Sequence, residues 1–277
     1  MATGTYAWDA ERAYSIGLAR AFGGALLFSL PMLMTMEMWE LGVQMSRLRL
    51  ALLLVAMFPL LVGLAFYLGF ESVTSVLDAV LDAFVAIAVA ALLSAAVLAV
   101  FGMLGPEHRP REWLGRIALQ SVAGSIGALL AQSQFGQAEH EGRKRREGGD
   151  FAEYFFMAAG ALFLSANVAP TEEVELIAHM MTPWHTLALL LISVAVMHAF
   201  VYAVDFRGQH ERAEHVSAFG EFVRFTVVGY VLALAISALL CWCFGRFDGL
   251  SAAEMLRVAI VLGFPAAIGA ASARLVL

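Results

Sequence analysis

Two acidic stretches follow apolar runs in this chain: "LPMLMTMEMWELG", which contains Glu37, and "APTEEVELIA", which contains Glu172 and Glu173. A carboxylate withdrawn from bulk water is costly unless a partner stabilises it, and a passing cation is one such partner. Thr35 and Thr171 each stand two residues before the matching glutamate, and Ser29 and Ser165 lie further back in the same apolar runs. Carboxylate and hydroxyl oxygens together suit hard cations or protons rather than soft metals. A second acidic group is formed by Asp78 and Asp82 in "SVLDAVLDAFV" and by Glu221, with Arg224 three residues after Glu221 and spaced to pair with it on one helix face. The expected ion-binding residues are therefore Glu37, Glu173, Thr35, Thr171, Asp78, Asp82 and Glu221, with Arg224, Ser29, Ser165 and Glu172 modulating the path. The plainer alternative is that the acids begin interfacial helices: Pro170 suits a first helical turn, and acids there complement the positive end of the helix dipole. That account leaves Glu37 unexplained if it closes a span instead of opening a helix.

Other chemistry is sparse. His198 in "AVMHAFVY" lies in mid-span and reads as a satisfied buried histidine, with proton relay as the minority reading. Cys241 and Cys243 point about 200° apart on a helix, which argues against a shared metal or a mutual disulfide. "HERAEH" at 210–215 matches no recognised zinc spacing. Neither His-Glu-x-x-His nor Gly-x-Ser-x-Gly occurs, so neither an enzyme nor a cofactor is expected.

The elements that must position these residues are membrane helices. The 277 residues are 61% hydrophobic and 14% charged, with a mean hydropathy of +0.79. A helix crosses the hydrocarbon in about 20 mostly apolar residues, and eight such segments are predicted, at roughly 15–38, 48–69, 76–103, 113–132, 151–169, 183–205, 217–244 and 254–276. The leader "MATGTYAWDAERAYS" is polar and acidic, unlike a cleavable signal peptide. The net charge of −6 supplies no electrostatic reason to expect nucleic acid as a partner.

The spans repeat. "GALLFSLPMLMTMEM" from Gly24 aligns without gaps on "GALFLSANVAPTEEV" from Gly160, at a shift of 136 residues, bringing Ser29, Thr35 and Glu37 onto Ser165, Thr171 and Glu173. Downstream, Ser94, Phe101 and Gly102 align with Ser237, Phe244 and Gly245, and "IGA" recurs at 126–128 and 268–270. The fold expected is an all-α polytopic membrane protein made of two tandem four-helix repeats, 1–134 and 151–277, joined by a charged linker at 135–150. Four crossings per unit make the repeats parallel. Glu37 and Glu173 then form an outer tier, with Asp78 and Glu221 in an inner one. Ten basic residues, "RKRR" at 143–146 among them, fall on the side of the termini against seven opposite, which places both termini in the cytoplasm. Small residues four apart, such as Ala123, Gly127 and Ala131, mark packing faces within the bundle, with a homo-oligomer seam as the runner-up.

"LPMLMTMEMWELG" together with "APTEEVELIA" resembles an uncharacterised family of bacterial integral membrane proteins of about this length, over nearly the whole chain. That resemblance implies a bacterial inner-membrane setting, with the lipid bilayer as partner, and supplies no catalytic residues. The expected function is a cation transporter or channel lined by acids from both repeats. The alternative is a non-transporting assembly or accessory protein whose acids only cap helix ends.

Overall fold

A computed structural model of the chain describes residues 3–68, 75–106, 108–135, 138–208, 220 and 222–276; Glu221 and "HERAEH" lie outside these. Among the described residues the regular structure is entirely helical. Eight helical segments among the described residues are long and apolar enough to cross a membrane, from Ser15–Leu33 to Ala252–Ala273. Contacts divide the chain into two units, one comprising Met1–Ser46 and Leu50–Ala152, the other Arg47–Arg49 and Glu153–Leu277.

In unit 1, α1 (Thr3–Leu33) is followed by a short α2 (Met36–Gln44), then α3 (Arg47–Leu68), α4 (Val76–Val100) and α5 (Pro110–Phe135). The most buried span of this unit is α5, on which α1, α2 and α4 pack. This explains why a segment carrying Gln120, Ser121 and Ser125 is a span at all: its polar side chains are buried in protein and avoid lipid. The start of α4 is a capping box. The Ser75 hydroxyl accepts the Asp78 N–H at 3.2 Å, and the Asp78 carboxylate accepts the Ser75 N–H at 3.0 Å. Its inward stripe of Ala79, Ala83, Ala86, Ala90, Ser94 and Leu98 has helical spacing and small side chains, which allow close approach.

Unit 2 has the same order. The chain is helical from Ala138, inside the stretch expected to be a linker, and α6 (Ala138–Val168) leads to a short α7 (Glu173–Met180) and then α8 (Pro183–Gly208). A π-helical turn, Phe222–Val227, runs into α9 (Val228–Cys243), and α10 (Ala252–Val276) completes the unit. Here α10 is the most buried span.

Three local devices recur at the aligned positions. A Cβ on Gly24 would collide with the Gly127 carbonyl and Ala131, and one on Gly127 with the Gly24 carbonyl and Phe28. In unit 2 the same collisions involve Gly160 with Gly269 and Ala273, and Gly269 with Gly160 and Leu164. The first and last spans of each unit therefore touch backbone to backbone through the corresponding four residues. The helix before the last span also ends identically. Gly102 and Gly245, at φ +75 and +77, close α4 and α9, with Met103 and Arg246 N–H groups reaching back to the Leu98 and Cys241 carbonyls at 2.8 Å. The third device is the interruption after each unit's first long helix.

Candidate functional site

In unit 1 the interruption begins at Pro31, whose missing N–H weakens the last turn of α1. Side chains then take up the carbonyls that a continuing helix would have used. Thr35 Oγ1 and Gln120 Nε2 both donate to the Met32 carbonyl at 3.0 Å, and Trp39 Nε1 donates to the Leu33 carbonyl at 2.8 Å. Thr35 is extended, and α2 starts anew at Met36. Glu37 therefore does not close the first span, as expected from the sequence: it sits half-buried in the first turn of a separate helix. The difference arises because the turn's carbonyls are satisfied laterally, a condition no local pattern reveals. Met38 and Gly42 bury α2 against α5, with Gly42 and Gly115 in backbone contact.

The break in unit 2 follows α6. Thr171 Oγ1 donates to the Val168 carbonyl at 2.9 Å, as Thr35 does three residues back in its own unit. Arg246 then fills the gap: its guanidinium donates to the Ala169 carbonyl at 3.2 Å, to the Pro170 carbonyl, and to Glu175 Oε1 at 3.2 Å. The pair is sheltered, with side chains 15% and 35% exposed for Arg246 and Glu175. In unit 1 the guanidinium of Arg116 ties α5 to α2 and to the end of α4 instead, donating to the Trp39 carbonyl at 3.4 Å and the Met103 carbonyl at 2.6 Å. Arg246 occupies the position aligned with Met103, whose carbonyl Arg116 engages in unit 1.

Around the unit 2 break, Glu172, Glu173, Glu175, Leu176, His179 and Arg246 border an open depression of about 540 Å³. Glu172 and Glu173 are exposed, and Glu175 is engaged by Arg246. The depression therefore carries more negative than positive charge. Among the described residues no group of three or more His, Cys, Asp or Glu side chains is arranged to hold a metal ion.

The remaining expected residues are dispersed. Ser29 and Ser165 are fully buried and donate to the Ala25 and Ala161 carbonyls of their own helices, at 2.6 and 2.5 Å. Asp78 belongs to the capping box of α4, and Asp82 lies half-buried one turn further on. Glu221 is outside the described residues, so its pairing with Arg224 is not described. Arg224 is exposed, its guanidinium 5.5 Å from the Phe225 ring and its carbonyl accepting the Tyr154 hydroxyl at 3.0 Å. His198 Nδ1 lies 3.0 Å from Thr226 Oγ1, with its ring edge-on to Phe222.

Sequence reasoning missed Arg246, Glu175, Arg116 and Gln120. Glu175 stands within the quoted acidic stretch, but its partner lies 71 residues away. Arg246 and Arg116 were legible only as loop and span-end charges. A family model described as "Putative integral membrane protein (DUF2391)" matches residues 17–277. No curated protein and no solved structure matches the chain.

Proposed function

The chain belongs to this family of integral membrane proteins, whose function is unknown, and we propose that it is a cation transporter or channel of the bacterial inner membrane with an acidic outer mouth at α7. The observation that carries the reading is the acidic depression of unit 2, where Glu172 and Glu173 border open space beside the Arg246–Glu175 pair. An acidic lining concentrates cations at a mouth and disfavours anions. Carboxylate oxygens at such a mouth suit a hard cation or a proton as cargo. The matched glycine contacts, helix ends and breaks support two tandem repeats. With four crossings each, these are parallel, both termini are cytoplasmic, and Asp78 and Asp82 belong to the inner side.

One observation favours a second reading. Glu37 and Glu173 each lie in the first turn of a short helix, where the dipole accounts for an acid without any cargo. On that reading the protein is a non-transporting assembly or accessory factor. Flux into proteoliposomes separates the two, using Na⁺, K⁺ and a pH-sensitive dye on wild type, Glu37→Gln and Glu173→Gln. The transport reading expects cation entry that drops severalfold in both variants at unchanged thermal midpoint. Absence of flux for every cation, or wild-type flux in both variants, leaves the accessory reading in its place.

A further inference from the structure

Unit 1 contains two fully buried side chains with a polar atom lacking any partner among the described residues: Ser94 Oγ in α4 and Gln120 Oε1 in α5. The helix register sets them face to face. A Cβ on Gly124 would lie 2.9 Å from Ala90 Cβ and 3.7 Å from Ser29 Cβ. Two turns earlier on α5, Arg116 reaches the Met103 carbonyl just past the end of α4. The two helices are therefore antiparallel, and one turn from the Ala90–Gly124 contact Ser94 comes level with Gln120. The Gln120 amide nitrogen is already committed to the Met32 carbonyl of α1 at 3.0 Å, which pins this side chain at the seam of three helices.

Unit 2 shows that the arrangement is particular to this pair. Ser237, aligned with Ser94, donates to the Ala233 carbonyl of its own helix at 2.8 Å, as Ser29 and Ser165 do to theirs. The shift that carries Gly127 onto Gly269 carries Gln120 onto Leu262, an apolar side chain. Where the amide is missing, the serine bonds to its own helix. Where the amide is present, the serine leaves that carbonyl. A hydroxyl able to donate and an amide oxygen able to accept, both withdrawn from solvent and not bonded to each other, are the two ends a bridging water connects.

We propose that Ser94 and Gln120 hold a buried water molecule at the seam of α1, α4 and α5. The water accepts from the serine hydroxyl and donates to the amide oxygen, so a hydrated site lies within the membrane-spanning part of unit 1. This assignment is independent of whether the protein transports anything.

A double-mutant cycle on the purified full chain in nanodiscs tests it, with thermal midpoint as the first readout. Ser94→Ala lowers the midpoint in the wild-type background and leaves it unchanged in the Gln120→Leu background, because only there is no water left to lose. An equal effect in both backgrounds overturns the proposal. Direct contact between the side chains would also couple them, so radiolytic hydroxyl labelling is the second readout. Met32, fully buried and with its carbonyl bonded to Gln120, is labelled in wild type and falls to background in Ser94→Ala. An unlabelled core of unit 1 in wild type overturns the water site, even if the Gln120 variant fails to fold.

Discussion

Arg246 illustrates how a charged residue inside a membrane protein becomes structural. Its guanidinium satisfies two carbonyls freed by the helix break and balances Glu175, all within a sheltered corner. Removing it leaves those groups without their donor, and an unsatisfied buried polar group costs about 1–3 kcal/mol. Arg246→Gln is expected to lower the thermal midpoint of the purified protein clearly. Arg246→Lys should restore only part of the loss, since a single ammonium lacks the planar fork that reaches several acceptors. Glu175→Gln should cost less than either, because the guanidinium keeps its carbonyl partners. A midpoint untouched by Arg246→Gln would remove the brace from the account.

At the scale of elements, the units are built around backbone contacts between their first and last spans. Gly127 and Gly269 have no room for a side chain, and the atoms in the way include the Gly24 and Gly160 backbone carbonyls, which cannot swing aside. Gly127→Val and Gly269→Val should therefore each destabilise the chain by at least about 1–3 kcal/mol, the usual cost of overpacking. Gly23, with nothing within 4 Å of its added Cβ, is the control: Gly23→Val should leave the midpoint near wild type. Thermal unfolding of the three variants in one detergent makes the comparison. Equal midpoints for all three would mean that the helices separate freely at these contacts. Partners at Gly24 and Gly160 are a matter of tertiary packing, yet their spacing was legible, because small residues four apart on apolar helices announce a close face.

For the whole molecule, orientation follows from the number of crossings. Reporter domains fused after residues 147 and 210 should both report cytoplasm, and one fused after residue 108 should report the opposite side. A periplasmic signal at 147 would mean an odd number of spans in the first unit, and the parallel relationship of the units would fall with it. Among the described residues the eight apolar helices found agree with the eight expected to within about five residues at each end, and the first ends at Leu33. There Pro31 was visible as a weak point, but the start of a new helix at Met36 was not.

What the sequence determined by itself was class and the number of segments apolar enough to span. These depend on hydropathy summed over about 20 residues and on side-chain identity, both local properties of the chain. Only the tertiary structure decided which polar residues meet. Glu175 with Arg246 and Gln120 with Met32 are joined across 71 and 88 residues. Whether such a residue is paired or exposed depends on which carbonyls a break sets free and which helix passes beside it. Glu37 changed from the end of one helix to the start of another for the same reason: the hydrogen bonds that end α1 come from Trp39 and, across the unit, from Gln120.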